Sequence, residues 1–469
     1  MRTEPIAPSL RVGRGRPDPA ELIRDREPQD ALAAELKPPL SDLDALAEAY
    51  RCLECGTADV PAPCQAACPA LVDVPGFVGH LARGEPGAAA RVILAANPLG
   101  ASCARVCPTE LLCEGACVLN TVRERPVDIG RLQRYALDCA FADPATLVVD
   151  LPKKNGFRIA VIGAGPAGLA AAAFLETAGF GVTVYDERSD VGGLVRYAIA
   201  PYRLWSEPLP EERAWLEGLG IHFKLGHPIA SAAQLRGLEA DYDAIVLAVG
   251  LGPDVDVRYP GDGLPGVFHS LPFIEAVKGG DPPAIGTRVA VIGGGNTAID
   301  VAREARRLGA TDVTLVYRRT EAEMPAYPVE VAEARKEGIH FHFLANPIAF
   351  LGSDRVETVV AQVMRLGEAD ASGRRRPEPV PGETVEIPVD TVVKAIGQEP
   401  RLPFLSQIPG LQVEGRRIVV DSRTGATTHP RYFAAGDAVN GGDTVVAAVQ
   451  LGKVAALGVM QALLEGRRP

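Results

Sequence analysis

Val161–Gly168 reads VIGAGPAG, and Val291–Ala298 reads VIGGGNTA. Each follows a short apolar run, RIAVI or RVAVI, passes through closely spaced glycines and continues at helical spacing. A buried strand, a glycine turn and a helix in that order predict an α/β unit built on a parallel sheet, because parallel strands need crossover helices. Two copies in one chain predict two Rossmann-like dinucleotide-binding folds.

Gly163, Gly165 and Gly168 complete G-x-G-x-x-G, with Pro166 and Ala167 leading into a helix expected over 167–178. The first glycine permits the tight turn, the second lets backbone approach a pyrophosphate, and the third lets helix pack on strand. Asp186 closes the next strand, expected over 181–186, where a carboxylate accepts hydrogen bonds from ribose hydroxyls. The second copy has Gly293, Gly295 and Ala298, with Asn296 and Thr297 opening its helix. Its second strand ends in Arg318 and Arg319 instead of an acid. Arginines there suit a 2′-phosphate and favour NADPH, with NADH possible; the alternative is a solvated strand end.

The cysteines set a second constraint. All nine lie between Cys52 and Cys139 of a 469-residue chain. Cysteines confined to one segment of a large chain suggest a metal or cluster module and not a disulfide scaffold. They run Cys52-x2-Cys55-x8-Cys64-x3-Cys68-Pro, then Cys103-x3-Cys107-Pro-x5-Cys113-x3-Cys117, with Cys139 apart as a buried small hydrophobe. Eight soft thiolates in two groups suit two four-metal iron–sulfur sites, with structural zinc as the alternative. Between 41 and 150 the chain reads as short helices, starting with Ser41 as an N-cap; 1–40 reads as an extended lead-in. A net charge of −11 gives no footprint for nucleic acid or an anionic membrane. The apolar run 159–175 is broken by glycines and proline and reads as strand, turn and helix, not a bilayer span. The N-terminus lacks a secretory core, so the expected location is cytoplasmic.

Gly192-Gly193-Leu194, Gly436-Asp437 within FAAGDA, and Thr444-Val445 at the start of a late helix resemble the two-dinucleotide-domain flavoprotein reductases. That resemblance implies FAD: the first loop lies along the flavin and the aspartate binds the ribityl and phosphate region. From about residue 45 onward, CLEC, CQAACP, CARVCPTELLCEGAC, IGRLQR, both glycine loops, MPAY and AAGDA resemble a narrower family. It comprises the glutamate synthase small subunit and the N-terminal half of dihydropyrimidine dehydrogenase. The resemblance implies two [4Fe–4S] clusters with interleaved ligands, Cys52, Cys55, Cys64 and Cys117 for one, and Cys68, Cys107 and Cys113 for the other. Gln133 is favoured over Cys103 as the remaining ligand, and with Asn97-Pro98-Leu99-Gly100 tilts the reading toward the pyrimidine-type branch. The loop from Gly56 to Pro63 is longer than the family's and is expected to bulge without moving the thiolates. AIAPYRL at 198–204 stands where the family often has G-I-P-x-F-K-L.

The expected layout is a helical double-cluster domain (1–150), an FAD-binding fold in two parts (151–286 and 397–469) and an NAD(P)H-binding fold between them (287–396). The implied activity is NAD(P)H oxidation through FAD, with single electrons leaving through the clusters to a separate catalytic partner. That partner would be an FMN-bearing subunit or a glutamate synthase large subunit. No segment reads as a site for glutamine, 2-oxoglutarate or a pyrimidine, and no catalytic acid or base is implied.

Overall fold

The computed structural model describes residues 35–466, apart from Ala58, Ser206 and 370–372. Most of the expected lead-in therefore lies outside the described residues. Between Lys37 and Asp150 the chain is helical, as the interrupted apolar pattern predicts. Ser41 caps the helix Asp42–Ala49 by accepting from the Asp44 N–H, satisfying one donor the helix itself leaves free. Proline opens the helix Pro86–Ala96 and lies in the first turn of Val74–Ala82, where a missing N–H costs nothing. The helix Ile129–Ala142 packs on Pro86–Ala96 and Gly100–Val106, burying Phe77, Ile93, Leu99, Leu132 and Leu137 almost completely. Thr444–Gln450 belongs to this unit; Leu151–Asp443 and the chain from Leu451 form the other.

The second unit holds two five-stranded parallel sheets. In the first the order is Tyr432–Ala434, Ala244–Leu247, Arg158–Ile162, Gly181–Tyr185, His222–Lys224. The second runs Val267–His269, Thr391–Lys394, Arg288–Ile292, Asp312–Tyr317, His340–Phe343. In each, the strand before the glycine loop is central and buried on both faces, which is why it reads as an unbroken apolar run. Val267–His269 pairs with Thr391–Lys394, and the following helix Ser270–Lys278 packs Phe273, Ile274 and Val277 into the second sheet's core. The expected boundary at 286 would assign both to the preceding fold; their hydrogen bonds and packing assign them to the second.

Ala345–Leu351, Thr358–Ala369 and Arg375–Pro388 form a three-stranded antiparallel sheet that the sequence pattern does not predict. One helix among the described residues, Val445–Leu464, is long and apolar enough to cross a membrane. From Leu451 on it packs on the first sheet's layer: a Cβ at Gly452 would stand 2.1 Å from the Ala167 carbonyl oxygen.

Candidate functional site

The first glycine loop has the geometry its residues demand. Gly163 lies at φ +109°, where an added Cβ would stand 2.2 Å from the Ala248 carbonyl oxygen. A Cβ at Gly168 would stand 1.9 Å from the Gly163 carbonyl oxygen, so the third glycine sets the closeness of helix to strand. Gly165 differs: a Cβ there would meet only the Gly193 Cα, at 3.9 Å. The helix it opens, Pro166–Thr177, has no side-chain cap, so its N-terminal N–H groups remain available to an anion. Asp186 accepts at Oδ2 from the Ala164 N–H (2.6 Å) and at Oδ1 from the Arg188 N–H (2.8 Å), tying strand end to loop. Each carboxylate oxygen has a further lone pair for a hydroxyl.

Gly192, Gly193 and Leu194 face this loop. The Gly192 N–H donates to the Ala164 carbonyl at 2.8 Å. Gly193, at φ 54° and ψ −130°, brings its backbone against Gly165, where a Cβ would stand 3.0 Å from the Gly165 Cα. Two bare backbones lining one groove fit a flat ligand passing a pyrophosphate. Gly436 lies against Ala167, and next to it Asp437 has a buried Oδ1 without a hydrogen-bond partner. Burial raises the Asp437 carboxyl to about 6. An orphaned buried carboxylate oxygen beside the groove suits a ligand rich in hydroxyl donors, which FAD supplies through its ribityl chain. Thr444 caps the late helix, its Oγ1 accepting from the Ala447 N–H, and Val445 is the first helical residue.

The second loop repeats the design. A Cβ at Gly293 would stand 2.1 Å from the Ala395 carbonyl oxygen, and Gly295 is open, with Pro325 Cγ nearest at 3.9 Å. Ala298 is fully buried where Gly168 stands in the first copy. The helix Asn296–Arg307 also lacks a side-chain cap. Thr297 is exposed at its start, whereas Asn296 Oδ1 accepts from the Tyr327 N–H at 2.9 Å and pins the MPAY segment to the loop. The two arginines part company. Arg318 is exposed, while Arg319 is buried and donates through Nε to the Arg375 carbonyl of the antiparallel sheet (2.8 Å). Of the two, Arg318 is the one whose side chain is open to solvent.

The cysteines gather in two sets. Cys52, Cys55, Cys64 and Cys117 line one cavity walled by Leu53, Pro63, Val74 and Ile129. Burial, then the neighbouring Cys52 and Cys117, pushes the Cys64 thiol up to about 12. Gly56 (φ 97°) and a hydrogen bond from the Thr57 N–H to the Val60 carbonyl shape the long intervening loop. In the second set burial raises the Cys68 and Cys113 thiols, Cys107 raises both further, and Cys68 also raises Cys113. Cys107 is raised first by a hydrogen bond with Cys103, so Cys103 also lies at this set. Gln133 donates through Nε2 to the Gly100 carbonyl at 2.6 Å, a bond that does not engage its Oε1. Thiols that cannot ionise cheaply together, around a space and not a point, fit a cluster whose irons supply the opposing charge. Cys139 is half-buried and hydrogen-bonded with Tyr135, apart from both sets.

Sequence reasoning missed Lys37. Its Nζ donates to the Cys107 carbonyl (2.5 Å) and to Thr109 Oγ1 (3.2 Å), placing a positive charge at the second set. Nothing in the local sequence marks it, because its partners are far along the chain.

Residues 157–452 match the family described as pyridine nucleotide-disulphide oxidoreductase, and 29–144 match dihydropyrimidine dehydrogenase domain II, 4Fe-4S cluster. The chain is 37% identical over 464 residues to the glutamate synthase [NADPH] small chain of Halomonas elongata, covering 96% of this chain and 97% of that one. It is 33% identical over 446 residues to the NAD-dependent dihydropyrimidine dehydrogenase subunit PreT of Salmonella typhimurium, covering 93% and 99%. Among solved structures, Mycobacterium tuberculosis FprA in complex with NADPH superposes with TM-score 0.53 at 22% identity, covering 67% of this chain and 86% of that one. That likeness is one of fold.

Proposed function

This chain belongs to the pyridine nucleotide-disulphide oxidoreductases, among the glutamate synthase small chains and dihydropyrimidine dehydrogenase subunits, and from that we propose that it is the electron-input subunit of a larger enzyme. It is an NAD(P)H, FAD and iron–sulfur oxidoreductase. The observation that carries the input role is the pairing of two converging cysteine sets with two uncapped glycine-loop helices on one chain.

The chain's own residues bind, orient and neutralise. Gly165, Gly193 and the first helix N-terminus hold the FAD pyrophosphate, Asp186 a ribose and Asp437 the ribityl region. Gly295 and the second helix N-terminus hold the coenzyme pyrophosphate, with Arg318 at the 2′-phosphate. Cys52, Cys55, Cys64 and Cys117 ligate one [4Fe–4S] cluster; Cys68, Cys107, Cys113 and Gln133 ligate the other, with Lys37 offsetting its negative charge. When bound, the cofactors would supply the chemistry: the flavin hydride acceptance from NADPH, with NADP+ as the product, and the clusters one-electron transfer onward.

The partner's identity is the finer part of the proposal. The neutral amide of Gln133 favours an FMN-bearing, pyrimidine-type partner. The 37% identity to glutamate synthase small chains favours a glutamate synthase large subunit as the second reading. Capture of the tagged full chain from its own cells decides between them, by whether the co-captured subunit enables NAD(P)H-dependent uracil reduction or glutamate synthesis.

Coenzyme choice has its own test. Arg318→Ala will raise KM for NADPH by about 5- to 150-fold, equivalent to about 1–3 kcal/mol of charge-assisted hydrogen bonding, and leave KM for NADH nearly unchanged. Equal changes for both coenzymes would make Arg318 a solvated strand end. Arg319→Ala will instead lower the melting temperature, because it removes the donor to the Arg375 carbonyl.

A further inference from the structure

The segment AIAPYRL at 198–204 departs from its family's usual wording, and the cofactor contacts leave it unexplained. The chain enters it from the flavin side, where Gly192 is fastened to the first glycine loop through the Ala164 carbonyl. It then docks on the nicotinamide side. Lys278, in the helix whose Phe273 and Val277 lie in the second sheet's core, is buried. Its Nζ donates to the carbonyls of Val195, Ile199 and Leu204 at 3.0, 2.9 and 2.8 Å. Three ammonium donors meet three backbone acceptors away from water.

Tyr202 and Arg203 provide a second grip. The Tyr202 hydroxyl donates to Asp300 Oδ1 at 2.7 Å. Arg203 donates to the same oxygen at 2.8 Å and to Glu330 Oε1 at 2.7 Å. Arg303 donates to Glu330 Oε2 at 2.6 Å, and its guanidinium lies 4.4 Å from the centre of the Tyr202 ring. Asp300 and Arg303 stand in Asn296–Arg307, the helix whose N-terminus forms the second glycine loop. One short segment thus links the flavin's groove to the helix that holds the coenzyme phosphates.

We propose that residues 195–204 form a strap that fixes the coenzyme-binding helix relative to the flavin groove, and that Lys278 and Arg203 are positioning residues for hydride transfer. The proposal rests on the NADPH-to-flavin reading above. Hydride transfer needs its reacting atoms held at near-contact distance, and displacements of about 1 Å are costly. A buried ionic cluster adds little net stability over apolar packing of the same shape; its directional bonds here define one geometry.

The test uses the full-length holoprotein and Lys278→Met, Lys278→Arg and Arg203→Met variants. Three quantities are measured: bound FAD, hydrogen exchange over 195–204, and anaerobic flavin reduction by NADPH in stopped flow. Failure of the unaltered protein's flavin to be reduced at all would overturn the functional reading itself. Where it is reduced, Lys278→Met is expected to retain FAD and exchange faster over the strap. Its limiting reduction rate should fall roughly tenfold to hundredfold with the half-saturating NADPH concentration within about twofold. Lys278→Arg, which keeps a charged donor, should recover most of the rate. Faster exchange with an unchanged limiting rate would make the strap merely structural and overturn the proposal. So would a change confined to half-saturation. Should Lys278→Met not fold, the same criteria apply to Arg203→Met, and to Tyr202→Phe, which deletes a single hydroxyl.

Discussion

Cys117→Ser protein, purified without oxygen, will hold about four irons per chain where the unaltered protein holds about eight. Cys117 lines the cavity with Cys52, Cys55 and Cys64, and its charge raises the pKa of both Cys55 and Cys64. A serine hydroxyl is harder and far less acidic than a thiol, so the first set loses a soft ligand. The second set keeps Cys68, Cys107 and Cys113, none of which lines that cavity. Acid-labile sulfide should fall in parallel with iron. Two zinc ions per chain with negligible sulfide would replace the cluster assignment with a structural-zinc one. In the same assay Gln133→Ala should perturb the second cluster's spectrum more than Cys103→Ser does. The reverse ranking would move the fourth ligand to Cys103, which lies at Cys107.

Gly165→Leu will yield folded protein with its FAD content reduced to roughly a tenth or less, because the new side chain fills the pyrophosphate groove. The position is suited to this separation of folding from binding. Gly165 has φ −78° and ψ 179°, an ordinary extended backbone, and an added Cβ would make only an ordinary contact, 3.9 Å from the Gly193 Cα. Leucine at Gly168 would instead strike the Gly163 carbonyl and damage the fold. Gly295→Leu is the matching change in the second copy, at φ −93° and ψ 177°. It should retain FAD and lose NADPH-driven flavin reduction. Undiminished FAD in Gly165→Leu would place the flavin elsewhere.

What could be read from the residues was what local chemistry dictates. The glycine loops were legible because tight turn, close helix packing and open groove each demand glycine at a fixed spacing. The helix cap at Ser41 was legible for a similar reason, but the two cysteine runs are not the spatial sets: Cys117 lines a cavity with Cys52, Cys55 and Cys64, while Cys68 lies with Cys107 and Cys113, an exchange that only the family resemblance implied. The antiparallel sheet was not legible. Arg375–Pro388 carries four prolines, which argue against a strand until it is seen to be an edge strand, where proline is tolerated because the outward side has no neighbouring strand to receive an N–H. Val267–His269 is too short to show a pattern. Arg318 and Arg319 look equivalent in sequence, and a bond to the distant Arg375 carbonyl helps draw one of them inward. The strap was invisible for the same reason: Lys278 and Arg203 meet partners brought close by the fold alone.

The role proposed for this chain is to take in electrons from NAD(P)H and hand them to another protein. Its most direct test is steady-state turnover by the pure, FAD- and iron-loaded single chain, with NADPH as donor and ferricyanide or a viologen dye as acceptor. Uracil, thymine, and glutamine with 2-oxoglutarate are offered in parallel. Sustained NADPH oxidation is expected with the artificial acceptors, and no dihydropyrimidine or glutamate until the cognate partner is added. Turnover of any of those substrates by the single chain alone would contradict it, as would a loaded chain that cannot oxidise NADPH or NADH with any acceptor.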